Sequence, residues 1–190
     1  MWGTAEVDRI MEIKIFDGKK IIIRKFSEKD LRKVKKFQIF INSLIREEAL
    51  ITFNKKFSFD QEKKWLEEQL RKMKSHRSVY LIAEINNMVI GTTQIYLGEG
   101  RGSHVGHFGI TIKKGYRGIG LGTYLTGKVI ELAKKELKPK PKILKLDVFP
   151  INKPAINLYK KYNFKKVATI PKQREFKGRL YDEIIMLRYL

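Results

Sequence analysis

Residues Gly115-Tyr116-Arg117-Gly118-Ile119-Gly120-Leu121-Gly122 set four glycines in eight positions, between a strand-patterned run and a helix-patterned one. Glycines at such a junction let backbone N–H groups converge with no Cβ in the way. The following helix adds unpaired donors and the positive end of its dipole, so the natural occupant is a phosphate or pyrophosphate. A bare tight turn needs one glycine; glycines at 118, 120 and 122 behind Arg117 favour an anion cradle. A dinucleotide fingerprint does not fit, because the spacing is G-x-G-x-G and lies past mid-chain. Gly122 to Val129 matches the P-loop spacing, but Val129 stands where Mg²⁺ ligation needs Ser or Thr. The same segment carries the helical stripe Leu121, Leu125, Val129 and Leu132, which predicts helix, and a P-loop must be a loop.

Around this turn the chain alternates strand and helix signals. Ile13–Phe16, Asp17-Gly18 and Lys20–Arg24 predict a hairpin. Ser27 to Asp30 resembles a capping box ahead of a helix with apolar Leu31, Val34, Ile41 and Ile45. Ser58 to Gln61 repeats the device ahead of Trp65, Leu66, Leu70 and Met73. Strands are predicted at 79–84 and 88–96 around Asn86-Asn87, then at 106–112. A helix runs to about Leu137, stopped by Pro139 and Pro141, followed by a strand at 143–149. Asn152 caps a short helix with Pro154 in its first turn, and strands at 164–170 and 180–187 close the chain. This alternation predicts an α/β or α+β domain with a central mixed sheet.

Composition narrows the function classes. A chain of 190 residues favours one domain. With no Cys, disulfide frameworks, Cys-ligated zinc, thiol nucleophiles and iron–sulfur clusters are excluded. No apolar run approaches the roughly 18 residues of a membrane span, so no membrane partner is expected. Met1 to Met11 has no apolar h-region of a secretory signal, and a soluble, cytoplasmic domain is the expectation. Lys and Arg number 41 against 20 Asp and Glu, a net charge of +21 with pI near 10.0. Such a charge is the footprint of nucleic-acid binding. It is also the mark of a lysine-rich, thermophile-type surface, and the spread from Lys14 to Lys177 favours that reading over a nucleic-acid partner.

Two stretches carry a family resemblance. Ile110-Thr111-Ile112, four linking residues and Arg117-Gly118-Ile119-Gly120-Leu121-Gly122 resemble the acetyl-CoA-binding motif of the GNAT-superfamily N-acetyltransferases, Gln/Arg-x-x-Gly-x-Gly/Ala after the fourth strand. Leu146-Asp147-Val148, Asn152, Ala155, Leu158-Tyr159 and Tyr162-Asn163-Phe164 resemble the family's second motif, and Tyr181-Asp182 to Met186 its closing strand. Asn163 replaces the usual Gly, and Asn tolerates the left-handed conformation that a helix C′ position requires. The resemblance covers nearly the whole chain. It implies one acetyltransferase domain over 1–190, with a hairpin region at 1–25 and an acetyl-CoA core at 103–164. It also implies a mixed, mostly antiparallel sheet flanked by helices, splayed between its fourth and fifth core strands.

The resemblance further implies acetyl-CoA as co-substrate and direct attack of a neutral primary amine on its thioester. Backbone N–H groups of Arg117, Gly118, Ile119, Gly120, Leu121 and Gly122 would hold the pyrophosphate, with Thr123 and the Arg117 side chain as phosphate candidates. Backbone groups of Ile110, Thr111 and Ile112 would meet the pantetheine arm, and one N–H near Ile112 the oxyanion. Tyr159 falls on the general-acid position; Asn152 either contacts the donor or caps its helix. The strand before the turn carries His107 rather than an acid, making His107 the candidate base with Glu84 as fallback. His104 and His107 have no further ligands, so no metal site is predicted. The acceptor would be gripped by residues 44–59 and the final strand pair, with Glu47 and Glu48 able to attract a cation.

A lysine near pKa 10.4 costs about 4–5 kcal/mol to neutralise at pH 7, an α-amine near 8 only about 1. The cationic field also repels polyamines. A protein or peptide α-amine is therefore the expected acceptor. The alternatives are a small-molecule amine such as a polyamine or aminoglycoside, a non-amine acceptor, and an RNA- or ribosome-binding module on an idle scaffold. A homodimer is compatible with all of these.

Overall fold

The computed structural model describes residues 10–190, with side chains from Glu12 onward. The predicted N-terminal region at 1–25 therefore lies partly outside the described residues. Strands β1 (Ile10–Phe16) and β2 (Lys19–Lys25) form the predicted hairpin, turning at Asp17 and Gly18, both with positive φ. A 3-10 turn at Glu28–Lys33 leads into α1 (Val34–Arg46), and α2 (Phe59–Lys74) follows a loop. Next come β3 (Ser78–Ile85), β4 (Met88–Leu97), β5 (Val105–Ile112) and α3 (Leu121–Glu136). The chain ends with β6 (Ile143–Val148), α4 (Lys153–Lys161), β7 (Lys165–Phe176) and β8 (Arg179–Tyr189). The strands form one sheet in the order β1-β2-β3-β4-β5-β6-β8-β7. Among the described strands, only β5 and β6 pair in parallel.

The capping signals act as read. Ser58 accepts from the Gln61 N–H while Gln61 accepts from the Ser58 N–H. At the first box the reciprocal cap opens a 3-10 turn rather than an α-helix. Asp30 spends its carboxylate on the Ser27 N–H and on Arg24, whose guanidinium grips it at 2.7 Å through two nitrogens. The buried stripe of α1 is accordingly Val34, Phe37, Phe40 and Leu44; Ile41 and Ile45 are only partly covered.

The sheet has two clothed faces. On one, α3 buries Leu121, Leu125, Val129 and Leu132 against β3, β4 and β5, with α4 in the same core. Residues 122–129 are thus helix, and the P-loop spacing is coincidental. On the other face α1 and α2 pack Phe37, Leu44 and Leu66 onto Phe26, Tyr80 and Ile82. Here α1 packs on β4 and α2 on β3, the strands that precede β5 in the sheet.

β5 and β6 pair only at Val105↔Ile143, Gly106↔Leu144 and His107↔Lys145, although β5 continues to Ile112 and β6 to Val148. Beyond His107 the strands part. Counted from β2, these are the fourth and fifth strands of the sheet, so the expected splay is present.

Candidate active site

The parting of β5 and β6 leaves backbone groups unclaimed. The Lys113 N–H donates to the Ile90 carbonyl at 2.9 Å, which makes Gly91↔Ile112 a pair that exchanges no mutual hydrogen bonds. By alternation Thr111 bonds to β4, while Ile110 turns its N–H and C=O, and Ile112 its N–H, toward the gap. An extended chain can dock there as an added strand. The side chains of Ile110 and Ile112 pack into the α3 side of the core.

At the open end of this gap stands the glycine turn. Gly115, Gly118 and Gly120 have φ of +88°, +79° and +89°, the left-handed region that side chains resist. Gly120 is the N-cap of α3, so the turn delivers the helix's free N–H groups directly to the opening. A Cβ on Gly115 or Gly118 would meet nothing within 4 Å, so the turn is open on its outer side. A Cβ on Gly122 would meet Ile112 Cδ1 at 3.3 Å and Leu158 Cδ2 at 3.4 Å, so Gly122 lies where α3, β5 and α4 converge. Open donors on a positive helix end, leading into an unpaired strand edge, fit a pyrophosphate with an extended amide-bearing arm. That is the shape of coenzyme A.

The Arg117 side chain is committed elsewhere. Its Nε donates to the Ile112 carbonyl at 2.6 Å and its terminal nitrogen pairs with Glu47, which also accepts from the Lys114 N–H at 3.2 Å. Arg117 contributes its backbone to the turn while its guanidinium ties the turn to the end of α1. Thr123 is exposed in the first turn of α3, and its carbonyl accepts from the Tyr162 hydroxyl. Asn152 caps α4, accepting from the Ala155 N–H at 3.3 Å. Asn163 has φ +60°, the left-handed conformation expected of it.

Tyr159 is buried on the α4 side of the sheet, its ring 5.7 Å from that of Phe108 on β5. Burial pushes its phenol up to about 12, so it stays protonated, and a donor, throughout the physiological range. His107 projects on the opposite, α1/α2 face, stacked on Tyr96 at 5.0 Å and at the closed end of the splay. Burial, with help from Lys145 and against Asp147, holds its pKa below the usual histidine value. Its Nε2 faces Gly98, where a Cβ would lie 3.4 Å away. Glu84 is occupied: Arg24 at 2.8 Å and Lys36 at 2.6 Å hold it ionised despite burial, at the β3–β4 turn. The fallback base is thus a structural anion.

The two segments assigned to the acceptor do come together. Glu48, after α1, pairs with Lys177 at the tip of the β7–β8 hairpin, an exposed ion pair that joins the two segments. Among the described residues no group of three or more His, Asp or Glu could hold a metal ion. No described helix is long and apolar enough to cross a membrane.

One residue escaped the sequence reading. Glu62 is 4% exposed, on the inner stripe of α2 with Leu66, Gln69 and Leu70. The signal was available as an acid four residues ahead of Leu66 on an apolar helical stripe. Burial alone pushes its carboxyl up to about 7.

A splayed mixed sheet with a glycine-rich helix entry defines an acyl-CoA-dependent transferase fold. The acetyltransferase (GNAT) family model matches residues 42–164, and the chain belongs to that family of N-acetyltransferases, whose acetyl donor is acetyl-CoA. It is 33% identical over 109 residues to the L-amino acid N-acetyltransferase AaaT of Escherichia coli (strain K12). That match covers 57% of this chain and 66% of the relative, just under two thirds of its length. A GNAT-family acetyltransferase from Streptococcus pneumoniae superposes with a TM-score of 0.77 at 22% identity, covering 90% of this chain and 99% of that one. The protein yncA of Salmonella typhimurium, solved with its cofactor acetyl-CoA, superposes with a TM-score of 0.74 at 19% identity over 90% of this chain and 94% of its own.

Proposed function

We propose that the protein acetylates the α-amine of a peptide or protein, within a single domain that takes acetyl-CoA from the α3 side and the acceptor from the α1/α2 side. The observation that carries this reading is the slot between β5 and β6, which opens beside a pyrophosphate-fitting turn. A cationic surface speeds the arrival of the anionic donor and disfavours polycationic acceptors. A second reading, a free L-amino acid as acceptor, is favoured by the named activity of the 33%-identical relative.

The donor supplies an activated acetyl thioester. Backbone N–H groups of residues 117–122 hold its pyrophosphate, and Ile110 and Ile112 align its arm along β5. An N–H of this open edge meets the oxyanion. Tyr159 gives its proton to the departing sulfur. His107, uncharged near neutrality on the acceptor face, serves as a proton acceptor.

An acceptor panel with thiol release as readout tests the reading, comparing N-terminal peptide amines, free L-amino acids, lysine side chains, polyamines and aminoglycosides. Peptide α-amines are expected to turn over fastest. Preference for polyamines sinks the assignment, and absence of thiol release with every acceptor sinks the enzymatic reading. His107→Ala is expected to lower kcat about tenfold or more, with loss of the rate transition that lies below the usual histidine pKa. A wild-type pH profile in that variant removes His107 from the mechanism.

A further inference from the structure

Among the described residues the sheet ends in two edge strands, and they are built differently. β7, at one end, is blunted: Lys165 and Lys166 lie exposed on it, Pro171 removes a donor, and its register with β8 breaks between Ile170 and Arg174. β1, at the other end, pairs regularly with β2 from Glu12 to Phe16 and holds no proline there. Its side chains alternate between the two faces. Lys14 lies opposite Ile21, which is buried on the α3 face, and Phe16 packs on Tyr124 of α3 at 5.8 Å. Ile13, opposite half-buried Ile22, and Ile15 take the other face, where they are 47% and 74% exposed. Uncovered β-branched residues on an open strand edge are a surface for pairing with another strand.

The backbone has a matching phase. Asp17 and Gly18 both have positive φ, so they form the two-residue I′ turn whose flanking pair, Phe16 and Lys19, exchanges both hydrogen bonds. By alternation Lys14 and Glu12 spend their N–H and C=O on β2, while those of Ile13 and Ile15 point outward. An antiparallel strand arriving at this edge therefore bonds to Ile13 and Ile15. Charge decides which strand fits. Glu12 and Lys14 flank Ile13 and pair with each other at 2.9 Å. A second β1 centred on Ile13 sets each Glu12 opposite a Lys14, in pairs of the closer, non-hydrogen-bonded kind. The four charges then alternate around a square, and on the opposite face Ile13 meets its twin with Ile15 on the diagonal. Centring on Glu12 or Lys14 would set like charges face to face and offer groups already bonded to β2. Centring on Ile15 would leave Glu12 opposite Gly18.

We propose that β1 pairs antiparallel with β1 of a second copy about a two-fold axis at Ile13, so that two eight-stranded sheets run on as one. Neither CoA nor an acceptor is needed for it. Chains of net charge +21 repel their own copies, so association depends on a contact that sets opposite charges together where the chains meet.

Sedimentation velocity from about 5 to 500 µM, in about 0.3 M NaCl to screen the net repulsion, reads the association. Wild type is expected to pass from monomer to dimer over that range, with a dissociation constant of about 10–100 µM, because one strand pair is a small interface. Glu12→Lys or Lys14→Glu alone sets like charges opposite each other twice per dimer, by symmetry, and is expected to weaken association about tenfold or more. The two variants mixed in equal amounts restore both pairs, and the mixture is expected to associate as wild type does. Ile13→Pro removes the central donor, which faces away from β2, and is expected to be monomeric. A wild type that stays monomeric throughout the range overturns the proposal. A mixture that stays monomeric while wild type dimerises also overturns it, because the copies then meet elsewhere. So does an Ile13→Pro dimer as tight as that of wild type.

Discussion

Tyr159→Phe is expected to lower kcat by about 10²- to 10³-fold while leaving CoA affinity within about twofold. The phenol stands on α4 against Phe108, on the strand that lines the splay, and its pKa near 12 keeps the proton in place until a stronger base appears. A thiolate leaving a thioester is such a base only transiently, so the donor contributes in the transition state more than in the ground state. Phe keeps the ring and its contacts with Phe108 and Phe164, so stability should hold within about 1 kcal/mol, because a single hydroxyl contributes on that order. Single-turnover thiol release is the measurement. A Phe variant as fast as wild type would show that solvent protonates the sulfur and that Tyr159 is only packing.

Gly120→Val is expected to weaken CoA binding by about 100-fold or more, near 2.7 kcal/mol. Two penalties fall on one position. A β-branched residue resists φ +89°, and relaxing that strain rotates the first N–H groups of α3 away from the opening. Gly122→Ala makes the useful contrast. Its new methyl meets Ile112 Cδ1 and Leu158 Cδ2, both ends of flexible side chains, so a loss of only a few-fold is expected there. Gly122→Leu must instead push β5 and α4 apart, and should approach the Gly120→Val result. Calorimetry with CoA reads all three. Equal binding in Gly120→Val and wild type would remove the turn from the phosphate site.

What could be read from the chain follows the range of the interactions. The Asp17-Gly18 hairpin, the box at Ser58, the α3 stripe and the Asn163 cap are set by neighbours within a few residues, and all stand as expected. The splay also follows, because the two motifs that carry it are local and flank it. The Ser27 box misled on helix type because Asp30 answers to Arg24 on a strand as well as to its own turn. Arg117 showed its spacing but not its partner, since Glu47 is 70 residues away along the chain. The same limit applies to Glu84, whose cations are Arg24 and Lys36. Glu62 was visible as an acid on an apolar stripe. Its isolation depends on what the other elements fail to bring near it, and no local pattern encodes that.

The Arg117 side chain joins the two halves of the site. One of its nitrogens holds the carbonyl of Ile112, on the donor's strand, and another holds Glu47, where the acceptor's wall begins. The donor's cradle and the acceptor's doorway therefore share a hinge pin. Under the proposed function, a ligand that draws Ile112 or the turn toward itself would pull on the end of α1 through this one side chain. On that reading, two reactants entering from opposite faces of the sheet would each bear on the other's seat before their reacting atoms meet.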